Sequence, residues 1–289
     1  MKQPAREEAF AEHRSLLFSL AYRMLGSVAD AEDVVQEAWL RWSRAAEAES
    51  PRDFLSATVA RLCIDHLRSA RVRRETYAGS WLPEPLVDVP AEAKDSVARA
   101  ESLSIAFLHL LERLSAVERA VFLLREVYAY DHAEIARMVG RSEAACRQIA
   151  KRARDRIGGG PRRFSASEPE AEEMARRFLE ASARPDAAGF LELLDPEVVI
   201  WSDSGGKAPA ARLPIHGSDR AARFFAGVFR RYTREHLSTV QVNGAPAIVY
   251  RPPDGPVRLF AFEIRAGRIT AAFVQANPDK LRGLGPAIA

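Results

Sequence analysis

A chain of 289 residues with 47% hydrophobic and 28% charged side chains is long enough for two or three globular units, and this composition excludes a disordered or fibrous protein. The formal net charge is only +3 while the pI is near 9.0, so the distribution of charge says more than its total. Met1 to Phe10 has no apolar run of signal-peptide length, and nowhere do about 18 uncharged apolar residues follow one another, so the expectation is a cytoplasmic protein without membrane association.

The pattern is helical from Phe10 to Arg74. Leu17, Leu20, Ala21 and Met24 recur at helical spacing, and Gly26 supplies a stop. Asp30 is the predicted N-cap of a second helix whose apolar stripe runs through Val34, Val35, Ala38, Trp39 and Trp42. Ser50 and Pro51, with Asp53 in the first turn, open a third helix. Three helices joined by short loops make a bundle, taken as residues 9–75.

Residues 76–96 lose periodicity and contain Pro83, Pro85 and Pro90, which predicts a linker. Trp81 and Leu82 make it too apolar for a free tether. Helices resume over 97–160. Asp131 and Glu134 have capping-box spacing, so a helix starts there and packs through Ala133, Ile135, Ala136 and Val139 until Gly140 ends it. After a short turn Ser142 caps another helix, with Ala145, Ile149 and Ala153 predicted to face inward. Cys63 and Cys146 both lie in arginine-rich helical patterns without the pairing of a zinc or redox motif, so they read as reduced packing residues.

The glycine-rich run from Gly158 closes the helices, and a third unit is taken as 167–282. It opens with a helix over 169–183 and continues with strand-like runs at 197–203, 238–244, 245–251, 257–265 and 268–276, which predicts an α+β unit with a strongly bent antiparallel sheet. Trp201, Phe260, Phe262 and Phe273 are candidate core residues, some of which line a small apolar pocket in the alternative reading.

Two charge patterns bear on function. Residues 141–156 carry six basic side chains against two acidic ones, a positive helix face suited to a major groove. On it Arg147 and Gln148 can read base edges, while Lys151, Arg152 and Arg154 suit phosphates. A solvated cationic surface helix is the competing reading. Near the N-terminus, residues 29–37 contain Asp30, Glu32, Asp33 and Glu37 with no basic residue, whereas 61–74 hold five arginines and one acid, Asp65. An acidic helix start repels DNA and suits a basic protein partner, and the arginine helix suits nucleic acid.

The segment from Leu20 to Ala45, followed by Phe54 to Glu75, resembles the second conserved region of the extracytoplasmic-function sigma factors, and Arg113 to Ile157 resembles their fourth. The resemblance implies that Asp30, Asp33, Gln36 and Glu37 dock on core RNA polymerase. It implies that Arg61, Asp65, Arg68 and Arg71 engage the melted minus-ten element of promoter DNA. Ser142, Arg147, Gln148, Lys151, Arg152 and Arg154 correspond to the helix that reads the minus-thirty-five element. The loop from Ala45 to Pro51 is the place for a pocket that traps a flipped base, with an inert connection as the alternative.

The C-terminal unit resembles the SnoaL-like branch of the nuclear-transport-factor-two (NTF2-like) superfold, a cone-shaped α+β barrel, as carried by sigma-J-like factors. Three elements carry that likeness: the linker Trp81, Leu82 and Pro83, the turn Asp203-Ser204-Gly205-Gly206-Lys207, and Asn277-Pro278-Asp279-Lys280. In the turn, Ser204 stands where the pattern has a glycine and restricts the backbone if φ must be positive there. The expected fold is therefore two all-α modules followed by a SnoaL-like α+β domain. The expected function is a sigma factor whose extra domain holds the linker and regulates in cis, and the resemblance implies that a separate anti-sigma protein can be absent.

Asp203, His216 and Tyr250 are acid/base candidates by analogy with enzymes of that superfold. They form no convincing catalytic set, and no metal or cofactor is expected. The competing functions are a helix-turn-helix regulator with a ligand-binding domain, and an enzyme fused to a DNA-binding module.

Overall fold

The computed structural model describes residues 3–45, 50–75, 77–87, 103–158, 167–184 and 186–284, with backbone alone for residues 3 and 70–75. Of the loop from Ala45 to Pro51 read as a base trap, residues 46–49 lie outside these residues. So do the second half of the linker and the side chain of Arg71. No described helix is long and apolar enough to cross a membrane.

The chain divides into two compact units. The first is helical. Helix α1 (Gln3–Leu25) stops where Gly26 turns left-handed at φ 67° and donates its N–H to the Tyr22 carbonyl. Helix α2 (Val28–Arg44) is capped by Ser27, whose side chain accepts the Asp30 N–H. This corrects the expected cap: Asp30 lies one turn inside, where its charge still favours the helix N-terminus. Helix α3 (Pro51–Glu75) begins as expected, with Ser50 accepting the Asp53 N–H at 3.2 Å. Leu17, Leu20, Val34, Ala38, Trp42, Leu55 and Val59 fill the space between these three helices.

Four further helices follow: α4 (Ile105–Leu111), α5 (Ala116–Glu126), α6 (His132–Val139) and α7 (Glu143–Ile157). The capping box of Asp131 and Glu134 forms, and Gly140 ends α6 at φ 66°. The inward stripe of α7 is Cys146, Ala150, Ala153 and Ile157, with Ala145 and Ile149 only half-buried. That moves the first two predicted positions by one residue each, while Ala153 faces inward as expected. On a helix with so few large side chains, alanines on either side of the seam fit the pattern equally well. In α6 Met138 is buried where Val139 was expected, and Ala133 and Val139 are half-buried. Both cysteines are free and buried, and burial pushes both thiols up, so neither is poised as a thiolate.

Buried polar contacts join α1 and α3 to α5 and to the segment that follows it. Ser19 Oγ and Tyr128 Oη lie 2.8 Å apart, Arg119 donates to the Met24 carbonyl at 2.7 Å, and Tyr130 Oη donates to Ser56 Oγ at 3.0 Å. The helices of both sequence modules thus share one compact unit.

The second unit contains residues 77–87, residues 104–106 at the start of α4, and the chain from 167 onward. Helices α8 (Glu168–Ala183), α9 (Ala187–Leu191) and α10 (Ser218–Phe229) pack on one face of a six-stranded sheet. The strands are β1 (Leu194–Asp203), β2 (Ile215–His216), β3 (Leu237–Val242), β4 (Ala245–Tyr250), β5 (Arg258–Arg265) and β6 (Arg268–Gln275), in the order β2-β1-β6-β5-β4-β3. The five strand-like runs all form strands, and the two-residue β2 is too short to show in sequence. Core aromatics gather on Phe178, with ring centroids of Phe190, Phe225, Phe229 and Phe262 at 4.5–5.5 Å.

The sheet is mixed, which corrects the antiparallel expectation: β1 and β6 run parallel, Trp201 opposite Phe273 and Asp203 opposite Gln275. Adjacency in sequence predicts hairpins. These two strands are separated by nearly the whole domain, so no local turn dictates their sense.

Candidate nucleic-acid interface and linker clamp

Helix α7 presents Arg147, Gln148, Lys151, Arg152 and Arg154 on its exposed side, while Ser142 is engaged as the cap, accepting the Ala145 N–H at 3.2 Å. Arg147 pairs with Glu143 one turn earlier, and Arg154 pairs with Glu126 of α5. Surface pairs of this kind contribute about 1 kcal/mol at most and give way readily to a phosphate.

On α2, Asp33 and Gln36 are exposed, and Glu37 pairs with Arg41 at 2.8 Å. Asp30 lies 3.6 Å from His66 of α3. Leu40, 42% exposed on the next turn, adds an apolar surface that the acidic pattern alone did not single out. On α3, Asp65 and Arg68 face solvent as a loose pair at 3.5 Å. Arg61 is differently placed: its guanidinium donates to the carbonyls of Arg137 and Met138 at 2.7 Å each, at the C-terminal end of α6. A cation suits that end of a helix, where carbonyls lack intrahelical partners.

In the second unit the linker is clamped. Asp203, at the end of β1, is fully buried, and its two carboxylate oxygens accept from Tyr77 Oη at 2.6 Å, the Leu82 N–H at 2.9 Å, the Gly205 N–H at 3.0 Å and Lys280 Nζ at 2.7 Å. Lys280 also donates to the Leu82 carbonyl at 2.6 Å and lies 4.2 Å from the ring centroid of Trp81. Asn277 donates to Tyr77 Oη at 3.0 Å and caps the single turn Pro278–Lys280. Lys207 pairs with Asp279, and this hydrogen bond holds the Asp279 carboxyl below its ordinary range. Burial, then the hydrogen bond to Asp203, pushes the Tyr77 phenol up, so it stays a donor.

Gly205 and Gly206 take φ 56° and 75°, whereas Ser204 is not among the positive-φ residues, so the departure from the glycine pattern costs the turn nothing. A Cβ at Gly205 would stand 2.5 Å from Asn277 Nδ2, which explains the glycine there. Trp81 is half-buried, and Leu82, Pro83 and Leu86 are buried.

The sequence reading missed three members of the clamp. Tyr77 lacks any motif. Gln275 donates to the Pro83 carbonyl at 3.3 Å, and Asn243 exchanges two hydrogen bonds with Leu86, at 2.8 and 2.9 Å. An Asn-Gly pair between two strands signals a hairpin turn, and Asn243 at φ 56° is such a turn residue, so its second role left no separate trace. Of the acid/base candidates, Asp203 is committed to the clamp, His216 is exposed, and Tyr250 stacks on Tyr232 at 3.9 Å. None of the hydrogen bonds of Asp203 goes to His216 or Tyr250. Among the described residues no His, Cys, Asp and Glu group is arranged to hold a metal.

Comparison with known proteins accounts for both helical segments. Residues 9–73 match the family "Sigma-70 region 2" and residues 104–157 the family "Sigma-70, region 4". Together they define a sigma-type transcription factor. The chain is 41% identical to the "ECF RNA polymerase sigma factor SigJ" of Mycobacterium tuberculosis, over 96% of this chain and 92% of that protein. It is 32% identical to that organism's "Probable ECF RNA polymerase sigma factor SigI", over 94% and 93%. The crystal structure of the M. tuberculosis SigJ protein superposes with a TM-score of 0.78 at 38% identity, covering 95% of this chain and 97% of that one. The chain belongs to the extracytoplasmic-function RNA polymerase sigma factors. It acts as an alternative sigma factor that directs transcription initiation, with core RNA polymerase and promoter DNA as the partners implied by its two sigma regions. Its C-terminal unit is the SnoaL-like α+β domain of this branch.

Proposed function

We propose that the C-terminal domain regulates this cytoplasmic sigma factor in cis by holding the linker between its two sigma regions, so that a separate anti-sigma protein is dispensable. The observation that carries the reading is the Asp203 carboxylate, which accepts hydrogen bonds from linker groups at both Tyr77 and Leu82. A buried carboxylate whose donors come from one segment of chain fixes that segment's path, and removing it leaves several polar groups unsatisfied.

In this reading the working parts are a region-two module over 9–75, a linker over 76–96, a region-four module over 97–160 and a regulatory domain over 167–282. Asp30, Asp33, Gln36 and Glu37 bind core polymerase. Arg61, Asp65, Arg68 and Arg71 engage the minus-ten element, Arg61 after leaving the α6 carbonyls. Ser142, Arg147, Gln148, Lys151, Arg152 and Arg154 form the surface for the minus-thirty-five element. Trp81, Leu82, Pro83, Asp203, Gly205, Gly206, Lys207, Asn277, Pro278, Asp279 and Lys280 form the regulatory contact.

Run-off transcription from a cognate promoter with purified core polymerase tests this. The wild type should direct specific transcription, and Asp203→Ala, Lys280→Ala and a chain ending at Gly158 should each change its yield. Unchanged yield in all three variants refutes regulation in cis. DNA binding with no polymerase-dependent transcription refutes the assignment of the polymerase surface.

A further inference from the structure

A cavity of about 530 Å³ opens on the helix-covered side of the C-terminal sheet, and the clamp does not use it. Alternation along the strands separates the two: Ser202, Val274 and Ala276 line the cavity, while their neighbours Asp203, Gln275 and Asn277 hold the linker from the other face. Its size lies within the roughly 300–1,000 Å³ of small-molecule sites.

Three features of the lining bear on an occupant. First, Arg223, Arg231 and Arg258 line the cavity and no carboxylate does. Arg258 is only 7% exposed, and its named partners are the Val257 carbonyl at 3.0 Å and the Tyr232 side chain, with no ion pair among the described residues. A buried guanidinium without a counter-charge is costly, and an anion in the cavity would remove that cost. Second, Ser202 is 2% exposed and its hydroxyl has no hydrogen-bond partner among the described residues. Buried hydroxyls are nearly always bonded, so an unpartnered one at a cavity wall marks a place for a ligand atom.

Third, Gly227 lies inside α10 at the cavity wall, yet a Cβ there would meet nothing within 4 Å. A glycine in a helix interior costs about 1 kcal/mol relative to alanine, and here no internal contact requires it. It keeps the cavity open.

We propose that this cavity binds a small organic carboxylate, with its charged end on Arg258 and Ser202 and its apolar body against Phe224, Val228 and Val274. A planar guanidinium with free donors matches a carboxylate in two-point geometry, and the apolar wall excludes a bare inorganic anion as the preferred occupant.

Calorimetric titration of the full chain with octanoate, phenylbutyrate and indoleacetate, each beside the corresponding alcohol, tests this. At least one acid should bind with single-site stoichiometry, and at least about ten-fold more tightly than its alcohol. Arg258→Met should bring that acid to the level of its alcohol. Gly227→Leu, whose Cβ would meet nothing within 4 Å and whose side chain favours a helix over glycine, should fill the cavity and abolish binding while thermal stability holds or rises, so a loss there is not a folding defect. Failure of all three acids to bind, equal binding of acid and alcohol, or binding that survives Gly227→Leu would overturn the proposal. None of these readouts involves transcription, so the regulatory reading stands or falls separately.

Discussion

Asp203 and Lys280 meet at 2.7 Å with the carboxylate fully buried and the lysine 13% exposed, and the backbone of Leu82 is bonded to both of them. Removing one partner of such a pair leaves an uncompensated charge and costs about 3–5 kcal/mol. Asp203→Ala should therefore raise the exchange rate of the Leu82 amide by about a hundred-fold, the lower end of that range. The Leu86 amide, held by Asn243, should respond less. Amide exchange followed by mass spectrometry measures both, and an unchanged Leu82 rate would show that the clamp does not depend on this carboxylate.

Arg61 ties α3 to the end of α6 through two carbonyls, and the residue as a whole is exposed. Solvent competes for such bonds, so Arg61→Met should lower the stability of the DNA-free chain by only about 1 kcal/mol. Urea unfolding of the protein alone is the measurement. No change would mean that the guanidinium is held in place without stabilising the helical unit.

On α7 the residue types predict separable effects. Gln148→Ala should relax discrimination at one promoter position by about 1–3 kcal/mol. Lys151→Ala should weaken binding to all sequences alike and reduce the salt slope by about one. Fluorescence anisotropy of the sigma–polymerase holoenzyme on matched and mismatched promoters, across a salt series, distinguishes them. If both variants behave alike, the helix does not read bases.

Burial lifts the Glu263 carboxyl above its ordinary range, with Arg265 opposing that shift. The folded state then binds the proton more tightly than the unfolded state, so this group stabilises the fold below the unfolded value. That contribution is lost as pH rises from about 4 through the raised folded value. Glu263→Gln should flatten the fall in stability over that window. Urea midpoints at several pH values check it, and equal slopes for wild type and variant would refute it.

The hairpin between β5 and β6 turns on Ala266 and Gly267 at φ 49° and 71°, as that between β3 and β4 turns on Asn243 and Gly244 at 56° and 78°. Left-handed alanine costs about 1–2 kcal/mol. Ala266→Asn or Ala266→Gly at this exposed turn should stabilise the domain by about 0.5–1 kcal/mol, less than the full strain because the unfolded chain changes too. Thermal unfolding decides the sign.

Helix caps, turn glycines and long strands were legible because short-range chemistry fixes them: the capping box at Asp131, the stop at Gly26, and β1, β5 and β6. The α7 seam slipped by one residue because its inward side chains are small. The parallel sense of β1 and β6 was hidden because it is set by chain path. In the clamp, Asp203, Asn277 and Lys280 were found through resemblance, since nothing local distinguishes a turn aspartate from one that reaches 121 residues back to Leu82. Tyr77 meets the distant Asp203 and Asn277 side chains, while Asn243 and Gln275 bond to distant backbone, and such isolated contacts leave no periodicity to detect.

Because β1 and β6 run parallel, Asp203 and Gln275 emerge side by side at the same end of two neighbouring strands, and together they form a receptor for a short proline-containing peptide that happens to belong to the same molecule. A tethered ligand of this kind is present at an effective concentration set by the length and stiffness of the chain that joins it to the sheet, whatever its intrinsic affinity. A free peptide copied from residues 77–87 would have to exceed that concentration to displace the native segment. In the proposed reading polymerase has a different advantage, because binding the two flanking modules would act on both ends of the segment at once.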